Sequence, residues 1–320
     1  MNYELLMQRC VDIGNSVLGH TYPNPNVGAL IYKDGKIISE GYTGSPGQNH
    51  AEINAIENIN DKKYLENSTM VVTLEPCSHY GKTPPCTKKI IESKIKTVII
   101  GCKDPNLLVN GSGIDQLINN NIDVKVGVLE KECLELHKRF FTFQTKKRPY
   151  IILKWAETDD GIISPNHKNN NRPYWISNNI SRQYVHKWRS QEHAILVGSR
   201  TVDFDKPLLN SRNWDNNNPI KIVIGNPKIK SKDTLYIQDG KDLNIENITG
   251  LLHKNNIQSV LVEGGNKTLE TFIKNNLWDE ARVFKSKNKL NKGVLAPKIN
   301  GKKFYEKKIK DDKLKIIRNH

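Results

Sequence analysis

The chain has 320 residues, 37% of them hydrophobic and 26% charged, a globular composition that excludes collagen, a coiled coil or a mucin-like stalk. No apolar run nears the roughly 20 residues that span a bilayer, and Glu4, Arg9 and Asp12 stand where a signal peptide needs an apolar core, so a cytoplasmic protein is expected. The 49 basic residues outnumber the 34 acidic ones to give +15, an excess spread over a chain rich in Lys, Asn and Ile that reads as solvated surface rather than a nucleic-acid stripe.

At about 150 residues per domain the length predicts two domains. Apolar spacing predicts a helix over 3–18, then a β-hairpin of 27–32 and 37–42 around Lys33-Asp34-Gly35. A helix at 51–58, a strand at 70–74, a helix at 87–93 and a buried strand at 97–101 follow, then a helix at 113–120, a strand at 124–128 and a helix at 131–140. The alternation predicts a three-layer α/β domain. Lys146-Lys147-Arg148-Pro149 reads as a hinge, because Pro149 disfavours helix at Arg148. The domains are therefore expected at 1–146 and 147–320. In the second, strands are predicted at 150–155, 194–197, 220–224, 259–262 and 280–284, with helices at 178–190, 247–256 and 267–275. The polar, Asn-rich stretch 165–173 reads as a loop.

Five cysteines are an odd number for a disulfide framework, so clustered ones are metal or catalytic candidates. The sharpest cluster is His50-Ala51-Glu52, then Glu75-Pro76-Cys77, then Cys86. One His and two Cys offer three ligands to one zinc ion and leave the fourth tetrahedral position to water, the mark of a catalytic site. Zinc lowers the pKa of its water toward neutrality, and a carboxylate two residues after the His can carry the proton. The layout is close to the zinc-deaminase signature, but the segment Ser78–Pro85 separates the cysteines where the short form has two residues. Cys10, Cys102 and Cys133 lack such surroundings and read as small buried hydrophobes.

The run Thr73-Leu74-Glu75-Pro76-Cys77-Ser78-His79-Tyr80-Gly81-Lys82-Thr83-Pro84-Pro85-Cys86 closely resembles the bifunctional deaminase/reductase family of riboflavin biosynthesis, as do His50-Ala51-Glu52 and Pro23-Asn24-Pro25-Asn26-Val27-Gly28. The long spacer separates that family from the tRNA-adenosine and cytidine deaminases, which are similar in fold. The resemblance implies a cytidine-deaminase-like α/β/α domain that hydrolyses the amino group from a 2,5-diamino-6-ribosylamino-pyrimidinone 5′-phosphate. It implies one zinc per chain on His50, Cys77 and Cys86, with Glu52 as proton shuttle. His79 and Lys82 would meet the substrate phosphate or be plain exposed loop. Asp104 and Asn106 would meet the ribose. Asn24 and Asn26 would hold the pyrimidine, or serve turn chemistry, which Asn-Pro favours.

In the second half no G-x-G-x-x-G follows a strand, so a Rossmann site is not indicated. Glu263-Gly264-Gly265 leads from a buried strand into a helix, which is either a phosphate cradle or an ordinary turn. The resemblance continues through Lys154-Trp155-Ala156-Glu157-Thr158-Asp159-Asp160-Gly161, Trp175-Ile176-Ser177, His186-Lys187-Trp188-Arg189, Ala194–Gly198 and Thr201–Leu209. It implies a dihydrofolate-reductase-like α/β domain that uses NADPH to reduce the ribosyl chain to ribityl. Ala156, Trp175, Thr201, Asp205, Asn226, Gly265, Asn266, Lys267, Thr268, Leu269, Glu270 and Thr271 would line NADPH. Arg189, Leu209, Arg212 and Glu263 would hold the substrate, the arginines suiting its phosphate. Asp159 replaces the family's usual Leu, and Lys206 replaces an acid before Pro207. The partner implied is a small phosphorylated pyrimidine, with no nucleic acid or membrane, and self-association as a dimer or tetramer. A nucleic-acid deaminase and a non-catalytic zinc protein are the competing readings; the spacer argues against the first and Glu52 against the second.

Overall fold

The computed structural model describes residues 2–81, 84–106, 109–166, 174–237 and 244–319. The chain divides into two compact units, Met1–Lys147 and Arg148–His320.

The first unit runs α1 (Tyr3–Ser16), β1 (Gly28–Lys33), β2 (Lys36–Tyr42), α2 (Ala51–Glu57), a 3-10 turn (Lys62–Leu65), β3 (Thr69–Leu74), α3 (Cys86–Glu92), β4 (Thr97–Cys102), α4 (Ser112–Asn119), β5 (Asp123–Val126), α5 (Glu130–Leu136) and α6 (Lys138–Lys146). Its sheet has the order β2-β1-β3-β4-β5. The first two strands form the expected hairpin, β1 pairs antiparallel with β3, and β3, β4 and β5 are parallel. All six residues of β3 are buried, as a central strand covered on both faces requires. Helix α1 packs on one side with α5, while α2, α3 and α4 line up on the other. The close seat of α2 depends on Gly41: a Cβ there would lie 2.3 Å from Ala51 O and 2.4 Å from Ala55 N. The helix expected over 131–140 is two helices. The break falls at His137, whose buried ring meets Thr73 Oγ1 at 3.1 Å.

The second unit runs β6 (Tyr150–Glu157), β7 (Ile162–Pro165), α7 (Asn179–Gln191), β8 (Ala194–Gly198), α8 (Ser199–Asp205), β9 (Ile220–Ile224), β10 (Thr234–Ile237), α9 (Ile245–Lys254), β11 (Ser259–Gly264), α10 (Asn266–Lys274), β12 (Glu280–Lys285), β13 (Gly293–Leu295), β14 (Lys302–Ile309) and β15 (Asp312–Arg318). Its eight-stranded sheet has the order β10-β9-β8-β11-β6-β12-β15-β14. The first six strands in that order are parallel, and the last two form an antiparallel hairpin on β12. The hairpin was not among the predicted elements. In β14 seven of eight residues are exposed, so no hydrophobic alternation marks it; lysines on an edge strand also discourage pairing with other chains. Among the described residues no helix is long and apolar enough to cross a membrane.

Replacing Gly41 by Ala should force α2 off the sheet and cost the first unit roughly 1–3 kcal/mol, as overpacked cores do. Calorimetry of the full chain should show a lowered transition for that unit alone, and an unchanged thermogram contradicts this packing account.

Candidate active sites

Three chain segments deliver the metal-type side chains of the first unit. His50 is the N-cap of α2, Cys77 follows the end of β3, and Cys86 opens α3. Their ligand atoms all lie within 4.8 Å of one another. His50 Nδ1 stands 3.6 Å from Cys77 Sγ and 3.4 Å from Cys86 Sγ. A tetrahedral zinc with Zn–S about 2.3 Å and Zn–N about 2.0 Å would separate such a pair by roughly 3.5 Å, so the residues fit the ion. The Cys86 N–H points at Cys77 Sγ at 3.3 Å. Hydrogen bonds from Cys86 and His50 hold the Cys77 thiol down to about 4, against the effect of burial. A thiolate is the form that binds metal.

Glu52 lies one helical step inside α2 and is 4% exposed. Burial pushes its carboxyl above the usual carboxylate range, and the neighbouring His50 charge partly offsets this. A buried carboxyl beside the three ligand side chains is placed for proton transfer. The other three cysteines are buried, and burial raises all of their thiols.

Glu75 is 3% exposed, and backbone N–H groups of the β4–α4 loop converge on its carboxylate. That loop carries Asp104 and Asn106. The Asn106 N–H donates to Asp104 Oδ1 at 2.8 Å. Burial raises the Asp104 carboxyl to about 6, and Cys77 is near enough to add to the effect. His79 is half-buried, and its Nδ1 is enclosed without a hydrogen-bond partner among the described residues. Asn24 is half-buried in a turn closed by its N–H on Thr21 O at 2.8 Å. The Asn26 amide is buried and donates to Gly14 O at 3.0 Å, a structural tie to α1. Lys82 lies outside the described residues.

In the second unit the residues expected at the cofactor cluster at the C-terminal ends of the parallel strands. Ala156 ends β6 beside Glu157, α8 with Thr201 and Asp205 follows β8, Asn226 follows β9, and the Gly265–Thr271 stretch follows β11. Gly264 and Gly265 have φ of +45° and +33°, a region that excludes most side chains. A Cβ on Gly265 would lie 3.2 Å from Thr201 Oγ1, and one on Gly198 would lie 2.8 Å from Thr268 Oγ1. The backbone therefore forms a cradle at the start of α10, where unpaired helix N–H groups and the dipole favour phosphate. Asn266 Oδ1 is buried there without a hydrogen-bond partner among the described residues. These features fit NADPH. Trp175 is exposed, with the Arg182 guanidinium 4.9 Å from its ring centroid.

Arg189 on α7 grips Glu263 at the end of β11 through two hydrogen bonds of 2.7 Å. Its third donor reaches Asn210 O at 3.1 Å. Arg212 donates to Asn210 Oδ1 at 2.7 Å, and Leu209 beside it is buried with φ of +51°. Arg189, Arg212 and Glu263 thus meet around one loop. Lys154 on β6, quoted in the motif but given no role, approaches Glu263 to 3.7 Å. Its signal was a lysine between the apolar run Ile151-Ile152-Leu153 and Trp155. Burial lowers the Lys154 pKa. Burial pushes the Glu263 carboxyl up, but the Arg189 and Lys154 charges overcome it and hold the group at about 2. Asp159 is half-exposed and pairs with Lys285 at 3.6 Å and Lys289 at 3.8 Å. Lys206 caps α8 with φ of +42°.

A histidine–dicysteine centre on a five-stranded α/β sheet, joined in one chain to a mixed-sheet domain with a phosphate cradle, defines a zinc deaminase fused to a nicotinamide-dependent reductase. Residues 1–102 match the cytidine and deoxycytidylate deaminase zinc-binding region, and residues 149–286 match the RibD C-terminal domain. The riboflavin biosynthesis protein RibD of Aquifex aeolicus is 36% identical over 92% of this chain and 87% of its own length. That of Bacillus amyloliquefaciens is 32% identical over 95% and 90%. The crystal structure of a diaminohydroxyphosphoribosylaminopyrimidine deaminase/5-amino-6-(5-phosphoribosylamino)uracil reductase from Thermotoga maritima superposes with a TM-score of 0.91, at 34% identity and 99% coverage of both chains. The chain belongs to the RibD family: it is a bifunctional deaminase and reductase of riboflavin biosynthesis, with a cytidine-deaminase-like first domain and a RibD C-terminal domain.

Glu263 has a depressed folded-state pKa, so its contribution is present above the ordinary carboxylate value of 4.5 and is lost as pH falls through about 2. Denaturant titrations of the full chain should show a loss on the order of 3 kcal/mol from this group across that window. The loss should be smaller by that amount in Glu263→Gln. Equal acid sensitivity of the two proteins contradicts the charge assignment.

Proposed function

We propose that the first unit hydrolyses the 2-amino group of 2,5-diamino-6-ribosylamino-4(3H)-pyrimidinone 5′-phosphate, and that the second reduces the deaminated product, 5-amino-6-(5-phosphoribosylamino)uracil. The observation that carries the first step is a buried carboxyl, Glu52, beside three side chains whose ligand atoms fall within 4.8 Å. His50, Cys77 and Cys86 would hold zinc, which would supply the Lewis acidity that makes water a nucleophile at neutral pH. Glu52 takes a proton from the attacking water, passes it to a ring nitrogen and then protonates the departing ammonia. The carbon exchanges its amino nitrogen for oxygen, and no redox change occurs. Asp104 and Asn106 orient the ribose, while His79 and Lys82 meet the phosphate and Asn24 meets the pyrimidine. The proximity of Asp104 to Cys77 supports the first of these placements.

In the second unit the cradle of Gly265–Thr271, with Thr201 and Asn226, holds the phosphates of NADPH, and Ala156, Trp175 and Asp205 complete its binding. When bound there, NADPH would supply the hydride for reduction at C1′. The Arg189–Glu263 pair and Arg212 hold the substrate beside Leu209. The ring-opened sugar accepts one hydride and one proton to give the ribityl chain. The same reading places the chain in the cytoplasm as a dimer or tetramer. Five cysteines without disulfides suit a reducing compartment.

Glu52→Gln in the full chain should retain zinc and lower ammonia release by about 100-fold or more, the usual contribution of a positioned acid–base group. NADPH oxidation on deaminated substrate should continue at the wild-type rate. Deamination at wild-type speed without this carboxylate would overturn the assignment.

A further inference from the structure

The glutamate before the proline and first cysteine does more than end a strand. Glu75 leaves β3 immediately after Leu74, and its own N–H donates to Cys102 O at 3.0 Å. Its carboxylate is buried and, among the described residues, has no cationic side chain on it. It is satisfied instead by the backbone. Asp104 N–H reaches Oε2 at 3.2 Å. Gly111 N–H is shared between Oε1 at 3.0 Å and Oε2 at 3.1 Å. Gly113 and Ile114 donate to Oε1 at 3.0 and 3.3 Å.

These donors lie at the two ends of one connection. Asp104 begins the β4–α4 loop, and Gly111–Ile114 is its return into α4. One carboxylate therefore closes the loop on itself and ties it to the strand that delivers Cys77. The negative charge also sits at the positive end of α4. A second tie runs parallel to it: Gln116 donates to Ser78 O at 3.4 Å and accepts from Thr87 Oγ1 at 2.7 Å. Several charge-assisted hydrogen bonds to a buried carboxylate fix geometry more tightly than neutral contacts.

We infer that Glu75 is a positioning residue of the deamination site, setting the distance between the metal-ligand segment and the substrate loop that carries Asp104 and Asn106. It touches neither metal nor substrate. The inference rests on the proposed role of that loop in holding the ribose. Glu75→Gln keeps the shape but replaces one acceptor oxygen by an N–H2 group that faces backbone donors, so the loop must move. Displacements of about 1 Å in such supports are enough to degrade binding severely.

The test measures ammonia release against substrate concentration on the zinc-loaded full chain. Glu75→Gln should raise KM at least about tenfold while kcat falls less than about threefold, since the loss is one of substrate positioning. Zinc should stay at one per chain, and NADPH oxidation on deaminated substrate should be unchanged. Glu75→Asp keeps the charge but withdraws it by one methylene, and should shift KM in the same sense by about threefold; either variant decides the matter if the other does not fold. Zinc loss, or a fall in kcat at constant KM, would mean that Glu75 serves the metal segment alone and overturns the inference. Asn106→Ala separates the two layers of the argument. A raised KM for Asn106→Ala beside an unmoved KM for the Glu75 variants overturns the inference only. An unmoved KM in all of them overturns the loop's role as well.

Discussion

Three ligand atoms must meet within 4.8 Å although they come from positions 50, 77 and 86 of the chain. The first unit is organised around that requirement. Two helix starts and one strand end converge on a point, which requires α2 and α3 to sit on the same side of the sheet. The helix carrying His50 can come close enough only because Gly41 has no side chain beneath it. The fully buried β3 brings Cys77 to the same edge, and the short α3 starts with Cys86. Seating Glu52 in the first turn of α2 then places a buried carboxyl at the cluster without a further element. Its raised pKa follows from the burial that the packing imposes.

The second unit meets a different constraint with the same kind of sheet edge. Parallel strands direct their C-terminal ends one way, so the loops after β6, β8, β9 and β11 gather on one rim. Residues far apart in sequence, such as Thr201 and Gly265, become neighbours there. Charge inside this rim is balanced locally. Glu263 neutralises Arg189 and faces Lys154, so its carboxylate stays ionised in a largely buried place. Removing one member of such a group leaves a buried charge uncompensated, which is why the trio acts as a unit.

Much of this was legible in the sequence. The β1–β2 hairpin follows from Lys33-Asp34-Gly35 between apolar runs, and the zinc cluster follows from ligand chemistry and spacing. Local patterns carried less where tertiary contacts decide. Strand β14 has too many lysines to show a buried face, and without it β15 has no hairpin partner to read. Helices α5 and α6 look continuous in periodicity, but His137 turns inward to Thr73 and divides them. Glu75 stood inside the most informative motif, yet its partners are backbone amides some 30 to 40 residues away, which no side-chain pattern encodes. Asp159 looked like a disruption of the reductase motif. It is a half-exposed residue with two lysine partners, and such a position accepts charge in place of an apolar side chain.

Two reactions follow in order on one chain, deamination in the first unit and then reduction in the second. The most direct measurement gives the zinc-loaded protein the diaminopyrimidine ribosyl phosphate and NADPH together and follows ammonia and NADPH absorbance on one time axis. The account predicts ammonia from the first turnover, with NADPH loss lagging behind it until deaminated intermediate accumulates, and no lag when that intermediate is supplied. NADPH oxidation that begins at full rate before any ammonia appears would contradict the order, and with it the assignment of the two sites.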